Sequence, residues 1–166
     1  MVNKNLIRNI STVITDIDGV WTDGGMIYDE SGKEMKKFNT RDGMGVERLF
    51  DYQIETIICT SENSEIVKKR AQKLKIDKCF VGIKKKKEFI ELFILNNNMD
   101  PSSIAYIGDD LNDAEVMKIV GFTGCPSDAF GKIKSQVDYI CSKKGGEGSF
   151  REFAELIIEV KNETNN

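Results

Sequence analysis

Short runs of β-branched and aliphatic residues alternate along this chain with stretches whose apolar positions recur every three or four residues. Ser11 to Ile17 is the first such run and predicts a strand. Ile54 to Cys59 and Ile104 to Ile107 are nearly continuous in apolar content, as parallel strands buried on both faces are. Lys78 to Val81, Phe122 to Cys125 and Asp138 to Cys141 predict shorter strands. Helical periodicity fills the intervals, at Gly45 to Tyr52, Ser64 to Leu74, Lys85 to Asn96, Leu111 to Val120, Ala129 to Ser135 and Phe150 to Val160. Met26 to Tyr28 and Met35 to Phe38, joined across a Ser31-Gly32 turn, predict a β-hairpin. Repeated strand–helix units argue for an α/β fold: a doubly wound, mostly parallel sheet with helices on both faces. No repeat or linker divides the chain. Residues 1–166 are therefore expected to form one domain, with a hairpin flap at about 25–38 and a frayed polar tail at 161–166.

Two of the predicted strands stop on acids. Thr12-Val13-Ile14-Thr15 runs into Asp16-Ile17-Asp18-Gly19, and Ile104-Ala105-Tyr106-Ile107 runs into Gly108-Asp109-Asp110-Leu111-Asn112-Asp113. In an extended strand the i, i+2 spacing turns Asp16 and Asp18 to one side. Carboxylates crowded in this way repel unless a proton or a cation lies between them. Magnesium, a hard ion that takes carboxylate and phosphate oxygens, would relieve that repulsion. A lone Asp-x-Asp-Gly is more often an acidic turn with Asx-type hydrogen bonds. The second acidic cluster favours the functional reading, because in a doubly wound sheet ligands bind outside the carboxyl ends of the strands. Asp16, Asp18, Thr60 and Asp109 to Asp113 all follow predicted strands and should converge there.

Composition narrows the chemistry. The chain contains no histidine, so a Ser-His-Asp triad, a Cys-His pair and a His-ligated metal are excluded. Cys59, Cys79, Cys125 and Cys141 lack the close spacing of a zinc site and lie mostly in apolar surroundings, as free thiols of a reducing cytoplasm do. A net charge of -3 and basic residues without aromatic interleaving argue against nucleic acid. No run approaches a membrane span, and residues 1–6 have no apolar signal core.

Taken in order, Asp16/Asp18, Thr60, a lysine within Lys84 to Lys87 and Gly108-Asp109-Asp110-Leu111-Asn112-Asp113 resemble the signatures of the haloacid dehalogenase superfamily of phosphotransferases. The resemblance spans roughly Thr12 to Glu159. It implies that Asp16 attacks phosphorus and that Asp18 protonates the leaving alcohol and then activates water. It implies magnesium on Asp16, Asp109 and the Asp18 carbonyl, with Asp110 and Asp113 supporting from behind. Thr60 and the amides after it would bind phosphate oxygens in the manner of a helix N-terminus. The family spacing after Gly82 selects Lys86, whose ammonium would neutralise the phosphoryl charge. The other lysines of the run read as a solvated helix start.

A narrower likeness is carried by Asp18-Gly19-Val20-Trp21-Thr22-Asp23-Gly24, by the hairpin, by Phe38-Asn39-x-Arg41-Asp42-Gly43-x-Gly45, and by Gly145-Gly146-Glu147-Gly148 with Arg151. These segments resemble the small capless phosphatases of 3-deoxy-ulosonic acid phosphates, which are typically tetramers that complete each site with a neighbour's residues. A sugar acid phosphate substrate and a homotetramer follow as expectations. Glu62, Trp21 and Lys73 look like the branch acting on nine-carbon, sialic-acid-type 9-phosphates, whereas Arg41-Asp42-Gly43 looks like the branch acting on Kdo 8-phosphate. The expectation leans to the nine-carbon acid, with the octulosonate as its alternative. Thr22, Asp23, Arg41, Glu62, Arg70, Lys73 and Arg151 are the candidate substrate-binding residues. For several of them a plainer role competes. Arg70 and Lys73 belong to a helix that is basic throughout, Arg151 can pair with Glu155, and Trp21 can serve packing. Outside the enzyme class, a phosphoacceptor module or a silent assembly domain of the same fold are the alternatives.

Overall fold

The computed structural model describes residues 2–164. In chain order the elements are β1 (Thr12–Thr15), β2 (Ile27–Tyr28), β3 (Glu34–Met35), α1 (Thr40–Asp51), β4 (Glu55–Cys59), α2 (Glu65–Lys73), β5 (Lys78–Phe80), α3 (Lys86–Asn96), β6 (Ile104–Ile107), α4 (Ala114–Met117), β7 (Phe122–Cys125), α5 (Gly131–Lys134), β8 (Tyr139–Ile140) and α6 (Ser149–Thr164). Among the described residues, the strands other than β2 and β3 form one parallel sheet in the order β5-β4-β1-β6-β7-β8. From β1 the chain steps outward to β4 and β5, returns to β6, and then steps the other way to β7 and β8. The connections leaving β1 and β6 therefore diverge, which opens a crevice at their carboxyl ends.

Alternation along the strands supplies both helix layers. Val13, Ile58, Ala105 and Ile107 pack on one face with Val46 and Leu49 of α1, Val67 and Ala71 of α2, and Phe153 and Ile157 of α6. Ile14, Ile57 and Tyr106, which are directly opposite one another in register, pack on the other face with Ile90 of α3, Val116 of α4 and Ile133 of α5. Both faces of the sheet are thus covered, as the doubly wound expectation requires.

Of the boundaries that differ from the sequence reading, three do so for identifiable reasons. The first helix begins at Thr40 rather than Gly45, because Asn39 caps it by accepting the Arg41 N–H at 3.0 Å. Glycines at 43 and 45 interrupt its apolar pattern and hide that start. Residues 161–164 continue α6 instead of fraying. Lys161 Nζ donates to the Ile10 carbonyl and Asn162 to the Tyr52 hydroxyl at 3.0 Å, so the last turn is tied to the body of the fold. The tail expected beyond it, Asn165 and Asn166, lies outside the described residues. The helix expected from Leu111 shrinks to Ala114–Met117, because the residues before it are spent in turns around Asp113. Among the described residues no helix is long and apolar enough to cross a membrane.

Candidate active site

The loop after β1 begins as a continuation of the ladder, with the Asp16 N–H donating to the Ile107 carbonyl at 3.0 Å. The Asp16 carboxylate is buried, and its Oδ1 accepts the Ile17 N–H at 2.7 Å. Gly19 then turns the chain with φ +85°, and a Cβ there would lie 2.0 Å from Asp109 Oδ2. Only glycine lets the Asp109 carboxylate reach this turn. Thr22 Oγ1 braces the turn by accepting the Gly24 N–H at 3.2 Å and donating to Asp18 Oδ1 at 3.3 Å. Thr22, a candidate substrate contact in the sequence, is buried with its hydroxyl on Asp18.

From β6, Gly108 to Asp113 wraps around one buried carboxylate. Asp113 Oδ1 accepts from Lys86 Nζ at 2.7 Å and from the Tyr106 hydroxyl at 2.5 Å. Its Oδ2 accepts the N–H groups of Asp109 at 3.0 Å and Asp110 at 3.3 Å. Asp113 is fully engaged as an organiser of the loop. Lys86, the first residue of α3, places its wholly buried ammonium 2.8 Å from Asp16 Oδ2 as well. Lys84, Lys85 and Lys87 pair on the surface with Glu62, Glu88 and Glu91. The run of four thus divides into one buried cation and a solvated helix start.

Oxygens of Asp16, Asp109 and Asp113 lie within 4.8 Å of one another. Burial, followed by the charge of Asp113, pushes Asp16 up to about 6 even though Lys86 pulls the other way. Burial and the neighbouring carboxylates of Asp113, Asp16 and Asp110 push Asp109 up to about 8. One ammonium does not balance this cluster, and a hard divalent cation would. Because Asp113 has its oxygens occupied, Asp16 and Asp109 are the carboxylates left to hold such an ion. The donor set fits magnesium.

The other wall of the crevice comes from the end of β4. Thr60 is buried, its N–H donating to the Phe80 carbonyl and its carbonyl accepting the Ile83 N–H, both at 3.0 Å. α2 does not begin until Glu65, so Thr60 opens a loop rather than a helix N-terminus. Ser61 and Asn112, which bond at 3.2 Å, close the crevice between the β4 and β6 loops. The resulting pocket has a volume of about 250 Å³ and is lined by Asp16, Asp18, Gly19, Thr60, Ser61 and Asp109, with Glu62 and Asp110 at its rim. Asn112 belongs to the acidic run expected to converge here, and Ser61 directly follows Thr60; the bond between their side chains is what the sequence does not show.

Several expected substrate contacts lie elsewhere in the chain. Lys73 ends α2 and lines a separate, wider groove of about 940 Å³ with Phe50 and Ile76. Arg70 donates to the Asn39 carbonyl at 3.3 Å and covers the Phe38 ring. Arg151 pairs with Glu155 at 2.6 Å, Asp23 lies near Lys37 at 3.7 Å, and Arg41 is exposed at the start of α1. The Gly145 to Gly148 loop is pinned within its own chain. The Gly146 N–H donates to the Val20 carbonyl at 2.9 Å, and a Cβ on Gly145 would strike the Gly19 carbonyl at 2.1 Å.

Asp42 is fully buried, and burial raises it from 3.8 to about 6 against the pull of the Arg151 N–H and of Arg70. The folded state then binds more protons than the unfolded chain between these values, so Asp42 makes stability fall as pH rises from about 4 to about 6. Asp42→Asn, which retains an acceptor for the Arg151 N–H, is expected to flatten the stability profile across that window. Denaturant titrations at successive pH values measure it, and an unchanged slope would contradict the assignment.

No family model matches the chain. It is 34% identical to the 3-deoxy-D-manno-octulosonate 8-phosphate phosphatase KdsC of Haemophilus influenzae over 155 residues, which is 93% of this chain and 86% of that protein. The chain belongs to this phosphatase family. A crystal structure of the Moraxella catarrhalis 3-deoxy-D-manno-octulosonate 8-phosphate phosphatase, in complex with magnesium ion, phosphate ion and KDO, matches at TM-score 0.93 and 31% identity, covering 98% of this chain and 93% of that one. A Legionella pneumophila protein described as a subfamily III A hydrolase of the haloacid dehalogenase superfamily matches at TM-score 0.93 and 30% identity, covering 98% and 89%. The superfamily resemblance and the phosphatase class therefore hold, and the phosphoacceptor and silent-domain alternatives fall. The Haemophilus and Moraxella relatives are named for the octulosonate, so they favour the eight-carbon alternative over the nine-carbon lean.

Proposed function

We propose that the enzyme is a magnesium-dependent phosphatase of 3-deoxy-D-manno-octulosonate 8-phosphate that works through an aspartyl-phosphate on Asp16. The observation that carries this reading is the Asp16 carboxylate, fixed at the end of β1 by a buried lysine, facing Asp109 and open to the pocket. Magnesium, held by the Asp16 and Asp109 carboxylates and the Asp18 carbonyl, would withdraw charge from the phosphoryl oxygens and keep both carboxylates ionised near neutral pH. An Asp16 oxygen forms the new bond to phosphorus as the bond to the sugar oxygen breaks, and Asp18 delivers a proton to that leaving oxygen. Asp18 then takes a proton from water, which attacks phosphorus and releases Asp16. Thr60, Ser61 and Lys86 orient and neutralise the phosphoryl group.

The octulosonate is favoured because two of the three residues behind the nine-carbon lean have other work. Trp21 is buried, donating to Thr15 Oγ1 at 2.9 Å and packing on Phe150. Lys73 lies in the separate groove. Glu62 does stand at the pocket rim, paired with Lys84 at 3.4 Å. Phosphate release from a panel of ulosonic acid phosphates is the test. The eight-carbon 8-phosphate is expected to give the highest kcat/KM, and a nine-carbon 9-phosphate turned over faster would overturn the assignment.

Asp109→Ala is expected to weaken magnesium binding at least about tenfold, since it leaves a single carboxylate for the ion. Calorimetric titration measures this, and unchanged affinity would remove Asp109 from the ligand set. We also place residues 1–166 in one cytoplasmic domain, which the free thiols of Cys59, Cys79, Cys125 and Cys141 support. Assembly as a homotetramer is supported by the β2–β3 hairpin, whose Met26, Ile27, Tyr28 and Met35 are 47–57% exposed on a ribbon too short to be stable alone. Light scattering at assay concentration is expected to show the tetramer, and a fully active monomer would refute it.

A further inference from the structure

Lys36 lies on the hairpin, outside the acidic loops, and the motifs above give it no role. Its side chain is nevertheless only 1% exposed, on a ribbon whose apolar side chains face outward. The ammonium sits 2.6 Å from Asp18 Oδ1 and 2.9 Å from Glu34 Oε1. Burial alone would lower the pKa of Lys36, but its bonds to these two carboxylates outweigh that and hold it above the ordinary lysine value. Glu34 is tied in turn to the start of α2, its Oε2 accepting from Ser64 Oγ at 3.3 Å. Thr22 also donates to Asp18 Oδ1, at 3.3 Å. Both donors to the Asp18 side chain therefore fall on one oxygen. The other, Oδ2, is buried without a partner in a residue that lines the pocket.

A carboxylate is symmetric, and an untethered one exchanges its two oxygens by rotation about a broad terminal torsion. Two donors converging on Oδ1, one of them charged, suppress that rotation. We propose that Lys36 is a positioning residue that clamps Asp18 Oδ1 and so fixes the orientation from which Asp18 gives the proton to the leaving group and takes it from water. The inference rests on the acid–base reading of Asp18. It also ties the hairpin to the chemistry, because Lys36 holds Asp18 only while β3 stays against the β1 loop.

Proton delivery matters most for poor leaving groups, which gives the clamp a signature that a purely structural role lacks. The value of kcat/KM reports the steps through departure of the leaving group. Lys36→Met is expected to lower kcat/KM about tenfold or more on the sugar phosphate, an alkyl ester, and less than about threefold on p-nitrophenyl phosphate, whose leaving group needs little protonation. Lys36→Arg, which restores a charged donor, should recover most of the loss on the alkyl ester. Equal losses on both esters would assign Lys36 to hairpin stability alone, and no loss on either would remove it from the mechanism. Asp18→Asn serves as the control. If it shows the same leaving-group dependence while Lys36→Met is silent, the positioning role fails and the acid–base reading stands. If Asp18→Asn slows both esters equally, the acid–base reading fails and takes the clamp with it.

Discussion

Asp16→Asn is expected to reduce turnover on the order of 10⁴-fold or more, because no other side chain in the pocket can take over the bond to phosphorus. Asp18 has its Oδ1 held by Lys36 and Thr22, Asp109 is packed against Gly19, and Asp113 has its oxygens committed to Lys86, Tyr106 and two backbone amides. Asparagine keeps the shape of aspartate and an acceptor for the Ile17 N–H. It also keeps a weak oxygen ligand, so loss of activity should outrun loss of magnesium affinity. Acid quenching of the wild-type enzyme during turnover should trap an acid-stable, alkali-labile acyl phosphate that the variant never forms. Residual activity within tenfold of wild type would show that the nucleophile lies elsewhere.

The doubly wound sheet was legible because its central strands are buried on both faces and therefore nearly free of polar residues. Ile104 to Ile107 matches β6 residue for residue, and Phe122 to Cys125 matches β7. Boundaries failed where backbone contacts rather than side-chain hydrophobicity decide them. The first two turns of α1 carry two glycines and no apolar repeat, and the end of α6 is held by bonds to Ile10 and Tyr52, partners far away in sequence. Periodicity has no access to either.

The acidic half of the site was legible for a different reason. Carboxylates at strand ends are placed by the strands themselves, so Asp16, Asp109 and Asp113 converge once the order of the sheet is known. Residues on helix surfaces were not. Arg70 and Lys73 follow a loop before α2 and run away from the crevice, at about 1.5 Å per residue along the helix. Lys36 was missed because a lysine in a two-residue ribbon looks like solubilising surface. The available hint was Glu34, two positions earlier and so on the same face of the strand, where a covered lysine would need a countercharge.

Lys86→Met is the second substitution with a large expected effect, and it separates folding from catalysis. Burial by itself would lower the pKa of Lys86, yet Asp16 and Asp113 hold it above the ordinary lysine value. The ammonium is therefore the one fixed positive charge amid three carboxylates that approach within 4.8 Å of one another. Methionine fills a similar volume and removes the charge, leaving buried carboxylates unpaired at a cost of about 3–5 kcal/mol. For a domain of this size that corresponds to a fall of roughly 10 °C in Tm measured without metal. Magnesium binds only the folded cluster and replaces part of the missing charge, so it should raise the Tm of Lys86→Met by more than it raises that of the wild type. Turnover should remain at least about 10²-fold down even at saturating magnesium, because Asp16 has lost the donor that orients it. Thermal melts with and without magnesium, run beside the activity assay, measure both effects. A metal-free variant as stable as wild type would mean that the carboxylates share protons and that Lys86 is dispensable for folding.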